Sequence, residues 1–180
     1  MRYAELIRDQ LCDLDPSHTA SYRANTERYV QQLSELDGCI ASGTASIPPP
    51  QRQLLTYHDS WPYFARRYGM RVLGAIQPAN FSEPSAREIA RMIRQIQQAQ
   101  VPAIFGSEVF KSAILEKIAA ETRVRYVDTL RDDVLPGEPG QVEHSYIGMM
   151  QANVRAMVNA LGGNVARFET CTATLVAKKN

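Results

Sequence analysis

QLLTYHDSWPYFARRYGMRVLGAI, residues 53–76, reads as strand, helix and strand in quick succession. The apolar run at 53–56 is too short for a helix and predicts a strand. A helix is expected from about 60 to 68, with Gly69 as its stop. Residues 71–76 predict a second strand. Downstream the alternation continues. Glu83-Pro84-Ser85 opens a helix carrying Ile89, Met92, Ile93 and Ile96 at 3–4 spacing, and residues 101–105 predict a third strand. A helix over 109–120, a fourth strand over 124–127, a Pro/Gly loop over 135–140 and a helix over 143–161 complete the pattern. The fold class is therefore α/β: a four-stranded parallel sheet with helices on both faces.

Upstream, Asp15-Pro16 is expected to start a helix, with Asp as N-cap and Pro at the first helical position. Tyr22, Tyr29, Leu33 and Leu36 form one apolar stripe on a long helix that should end near Gly43, ahead of Ile47-Pro48-Pro49-Pro50. Such a helix suits a segment that runs past a domain or joins two. The tail, 165–180, shows weak strand character and is expected to be partly disordered.

The chain has 180 residues, of which 44% are hydrophobic, enough for one domain core. Twenty basic residues face 19 acidic ones, for a net charge of +1, so no charge excess points to nucleic acid. No apolar run approaches the roughly 20 residues of a membrane-spanning helix. The charged start, MRYAELIR, lacks the apolar core of a secretion signal. Cys12, Cys39 and Cys171 have no C-x-x-C spacing, which argues against a thiolate metal site. A Cys39–Cys171 pair in an oxidising compartment and three separate thiols both remain open, the thiols slightly ahead.

In open parallel sheets ligands bind beyond the carboxyl ends of the strands. Those positions hold His58, Asp59 and Ser60 after the first strand and Gln77 to Asn80 after the second. Ser107 and Glu108 follow the third, and Asp128, Asp132 and Asp133 the fourth. Imidazole with carboxylate suits zinc or manganese. Each residue also has a plain reading: a strand-end His as a hydrogen-bonded surface group, Asp59 or Ser60 as a helix cap, Glu108 as a complement to a helix dipole, Asp132 and Asp133 as solvated loop acids. His18 and His144 sit near helix starts without an evident partner.

Residues 55–70, LTYHDSWPYFARRYGM, resemble the T-x-H-D-A-F-x-Y-F-A-x-x-Y-G-L signature of the zinc- and manganese-binding substrate-binding proteins of ABC importers (cluster A-I, ZnuA/TroA-like). Asp15-Pro16 with Tyr22 and Asn25 resembles that family's D-P-x-x-A-x-x-Y-x-x-N helix opening. Glu83-Pro84-Ser85 resembles its E-P-S, and residues 104–108, IFGSE, its I-F-x-E. Residues 145–153, SYIGMMQAN, resemble its S-Y-x-x-M-M-x-x-N closing helix. The resemblance implies two lobes joined by one long helix, with a metal between them held by two ligands from each.

On this resemblance His58 and Asp132 are the metal ligands of the C-terminal lobe, with Asp133 one residue out of register. The D-D-x-L-P-G-like loop and a His where manganese binders tend to carry Glu favour Zn2+, with Mn2+ as the alternative. Metal capture should weaken on acidification, because imidazole ligates only when neutral. Residues 1–14 resemble the last helix of a first lobe that the chain lacks, 15–46 the linker helix, 47–164 the C-terminal lobe and 165–180 a tail. The implied parent is a periplasmic or cell-surface protein, whose oxidising surroundings would permit a Cys39–Cys171 bridge. Its partners would be a metal ion, an ABC permease and the missing lobe. A homodimer of the fragment is a further expectation, since a cleft face without its partner leaves apolar surface uncovered. An adhesin-like surface role is the alternative, and a small hydrolase using Ser60 or Ser107 ranks last. The sequence has no G-x-S-x-G elbow for such an enzyme.

Overall fold

The structure, a computed structural model, describes residues 1–77, 84–107 and 112–177. Four strands form one parallel sheet: β1 (Gln53–His58), β2 (Arg71–Gln77), β3 (Ala103–Ser107) and β4 (Arg125–Leu130). Their spatial order is β2-β1-β3-β4. Leu54 and Leu55 point to opposite faces of β1, yet both are buried, and all five residues of β3 are buried. Burial on both faces is what an unbroken apolar run means in a parallel sheet.

Two layers of helices supply that cover. On one face lie α4 (Ala86–Ala99) and α5 (Ala113–Thr122), whose Ile96, Leu115 and Ile118 close over Leu55, Ile76 and Ile104 of the sheet. The other face is covered by α2 (Thr19–Ala45), α6 (Tyr146–Ala160) and α7 (Val165–Ala177), packed on Leu54, Phe105, Val127 and Leu130. The short α3 (Pro62–Arg67) joins β1 to β2 and buries Ala65. A capping box between Ser85 and Glu88 starts α4, as E-P-S suggested. Among the described residues no helix is long and apolar enough to cross a membrane.

Three expectations need correction. The strands run further than the apolar runs, so His58 and Ser107 end their strands and Asp128 lies within β4, exposed. Parallel pairing extends regular backbone as far as partners exist, whatever the side-chain polarity. The long helix does not begin at Asp15. A separate α1 (Arg2–Leu14) precedes a 3₁₀ turn at Pro16–His18, and the Asp15 carboxylate accepts side-chain bonds from Ser17 and Tyr22 and contacts His18 Nδ1, rather than capping the main chain. The tail, expected as weak strand, is the helix α7. Phe168 and Thr172 are buried at i,i+4 spacing, with Val165 and Cys171 packed against the same core, and Asn164 Oδ1 accepts from Arg167 N. Its β-branched composition suggested strand; tertiary packing of one stripe overrides that preference.

Cys39 and Cys171 form a disulfide between α2 and α7, and Cys12 is free. The reading of three separate thiols is thus replaced. Gly43 permits the same contact: a Cβ there would lie 2.9 Å from Phe168 Cδ2. The bridge spans 132 residues, so on the chain-entropy account it limits the unfolded chain by several kcal/mol. Cys39→Ser is expected to lower stability by about 2–5 kcal/mol in denaturant titrations. Reduction with a dithiol should reproduce the loss in the parent and leave the variant unchanged.

Asp37 on α2 accepts from Arg67 Nε at 2.5 Å, from Arg67 Nη2, and from Tyr68 Oη at 2.7 Å. The guanidinium holds this carboxyl below its ordinary value. Because the folded state binds its proton less readily than the unfolded chain, the contribution is complete above the ordinary carboxylate range. It fades as pH falls through the depressed value. The stability difference between the parent and Asp37→Asn should therefore be constant from neutral pH to about pH 5 and shrink below about pH 4.

Candidate functional site

The strand order reverses between β1 and β3: from β1 the chain moves outward to β2, and from β3 outward to β4. Loops leave such a switch point in opposite directions and open a crevice at the strands' carboxyl ends. His58 is the last residue of β1, beside that crevice. Its ring is half-buried, stands edge-on to Tyr57 at 4.6 Å between centroids, and has its Nε2 shielded from solvent. Thr56, buried, donates to the His58 carbonyl at 2.7 Å and so fixes the strand end.

Asp132 stands two residues beyond β4, half-buried, whereas Asp133 is exposed. Ser60 Oγ donates to Asp132 Oδ2 at 2.5 Å. This bond joins the loop after β1 to the loop after β4, across the whole width of β3. It also corrects the expectation that Asp59 or Ser60 caps the next helix: α3 has Trp61 at its N-cap, with no side-chain cap bond. Pro62 at the first helical position needs no donor partner there.

Sequence reasoning gave Asn153 no role beyond its motif. It is fully buried on α6 and grips the main chain of Arg131 from both sides. Arg131 N donates to Asn153 Oδ1 at 2.8 Å, and Asn153 Nδ2 donates to Arg131 O at 2.7 Å. The amide is the one short side chain that can satisfy a donor and an acceptor together in this way. It thereby fixes the residue next to Asp132. A buried polar residue on an otherwise apolar helix face was the available signal.

Ser60 and Asp132 line an open cleft of about 410 Å³ whose walls include Tyr63, Phe64, Arg67 and Tyr146. His58 is not among its lining residues, so the two loops meet through Ser60 rather than through the imidazole. The remaining candidates lie elsewhere or do other work. Ser107 is buried at the end of β3. His144 Nδ1 sits 3.1–3.2 Å from the carbonyls of Pro136 and Gly137, bracing the Pro/Gly loop. His18 belongs to the Asp15 cluster. Asn80 and Glu108 fall outside the described residues. Among the described residues no three His, Cys, Asp or Glu side chains converge to hold a cation by themselves.

Residues 1–160 match the family model of zinc-uptake complex component A, periplasmic (ZnuA). The chain belongs to this family. Similar relatives include the manganese-binding lipoprotein MntA of Halalkalibacterium halodurans, 29% identical, covering 89% of this chain and 53% of that protein. The zinc-binding protein TroA of Treponema pallidum is 32% identical over 86% of this chain and 52% of its own length. The iron-binding protein YfeA of Yersinia pestis is 27% identical, over 89% and 51%. The solved structure of the periplasmic zinc-binding TroA superposes with a TM-score of 0.79 at 31% identity, covering 87% of this chain and 58% of that one. The chain spans about half the length of the relatives it matches. Together these matches bear out the ZnuA/TroA-like resemblance and the parallel α/β fold.

Asn153→Leu strips two main-chain groups of their partners at little change in volume. It is expected to cost roughly 2–6 kcal/mol in urea titrations, at about 1–3 kcal/mol for each orphaned group. Amide exchange at Arg131 should accelerate with it. A loss within about 0.5 kcal/mol, the usual range of a neutral surface change, would remove this role.

Proposed function

We propose that the chain carries one half of a transition-metal site in the substrate-binding component of an ABC importer, with the metal as cargo. The observation that carries this reading is the contact between the loop after β1 and the loop after β4, made by Ser60 and Asp132. It puts the loop that begins at His58 against the one that bears the carboxylate, at the switch point of the sheet. His58 and Asp132 are the ligands in this reading. The half-buried, hydrogen-bonded state of Asp132 beside an exposed Asp133 supports that register. Two ligands are half of a closed tetrahedral set. That agrees with a chain spanning half the length of its relatives, where the other half would supply the rest. The protein works as a binder and not as an enzyme in this reading, which the printed names of its relatives support, all of them metal-binding proteins.

Zinc is the favoured cargo, because an imidazole in place of a hard oxygen shifts preference that way. The named metals of the three relatives differ among manganese, zinc and iron, which makes metal identity the point to measure. Their names speak of metal binding and give the adhesin reading no help. The other partners proposed are a membrane permease and the second lobe, and the place of action is outside the cytoplasmic membrane, in line with the periplasmic family description.

Chelator-competition titrations of this chain should show weak zinc binding that drops by at least about tenfold in His58→Ala and in Asp132→Asn. Asp133→Asn should leave it unchanged, manganese should bind more weakly than zinc, and acidification should release the ion. The same chain joined to the other half of the family fold should bind zinc tightly, one ion per molecule. Equal affinity in parent and His58→Ala would sink the assignment.

A further inference from the structure

The helix α3 is only six residues long, too short to be stable or to hold a position on its own. Its place is set by what grips it. At its start Trp61 is buried and Ser60 bonds Asp132. In its middle Ala65 is buried. At its end Arg67 and Tyr68 together give three donors to one carboxylate, Asp37 on α2, and Gly69 at φ +66° then turns the chain into β2. Ser60, Arg67 and Tyr68 also line the cleft that contains Asp132. The cleft wall is therefore a short rod pinned at one end to Asp132 and at the other to the long helix.

We propose that Asp37 is a positioning residue for the half-site: its hold on Arg67 and Tyr68 sets where α3, and with it the loop from His58 to Ser60, lies relative to Asp132. This rests on the metal-site reading for its effect on cargo, though its effect on the loop stands alone.

An exposed ion pair would carry little weight, and Arg67 is well exposed. This one differs in geometry. The guanidinium is forked onto both carboxylate oxygens, and the half-buried Tyr68 phenol adds a third bond from the cleft side. Burial, then the neighbouring Asp37, pushes the Tyr68 phenol above its ordinary value, as expected of a phenol that keeps its proton to donate. Asp37 is not needed to hold α2. Its neighbours Leu36, Cys39 and Ile40 are each at most 4% exposed, and the disulfide ties Cys39 to α7. Losing the carboxylate should thus free α3 and leave α2 seated. That separates positioning from general stability.

The test compares Asp37→Asn, Asp37→Glu and the core change Ile40→Val, chosen as a control for lost stability, in the whole chain. Amide exchange without metal should rise about tenfold at Ala65, Tyr68 and Met70, whose amides are hydrogen-bonded, in Asp37→Asn, recover in Asp37→Glu, and stay at the parent rate in Ile40→Val. Zinc affinity should follow the same order, weaker by about tenfold in Asp37→Asn, the lower end of what losing a supporting contact costs a metal site. Parent-like exchange at Ala65, Tyr68 and Met70 in Asp37→Asn would overturn the proposal, as would an equal rise in Ile40→Val. Zinc binding indifferent to His58→Ala would overturn the metal-site reading instead, and the exchange rates would then decide the role of Asp37 by themselves.

Discussion

Parallel pairing of β1 with β3 at the centre of the sheet is the constraint from which the other features follow. Parallel strands cannot be joined by tight turns, so each connection crosses a face and brings a helix with it. Both faces are then covered, β3 is wholly buried, and every strand delivers its carboxyl end to the same rim. The faces of the sheet are sealed by α2, α6 and α7 on one side and α4 and α5 on the other, which leaves that rim as the place where loops from several strands converge.

At the rim the polar contacts are few and each does a separate task. Thr56 fixes the main chain of His58, Asn153 fixes the main chain of Arg131, and Ser60 ties the two loops together through Asp132. None of the three is a candidate ligand. On the proposed metal-site reading they would hold the ligands in place before an ion arrives, which lowers the ordering cost of capture. A site built this way on strand ends and braced from a neighbouring helix suits a binder that must recognise a small ion by geometry.

Beyond the rim, α2 acts as a spine. Its inner face is locked by Leu36, Cys39 and Ile40 and by the bridge to α7, while Asp37 reaches sideways to α3. Apolar side chains on α1, among them Ile7 and Leu14, stay exposed, and α1 has no buried residue.

Much of this was legible in the residues. Apolar runs and their turn signals specified the number of strands, their parallel kind and their succession along the chain, because a buried strand must be apolar wherever it lies. The motif around His58 marked the family, because ligand, turn and helix start are local to one stretch. Strand ends, the helical tail, the disulfide and the partners of Ser60, Asn153 and Asp37 were decided only by tertiary structure. Ser60 and Asp132 are 72 residues apart, and Cys39 and Cys171 are 132 apart. No local preference encodes such a meeting. It exists only once the sheet order has brought the two loops to one rim and packing has laid α7 along α2.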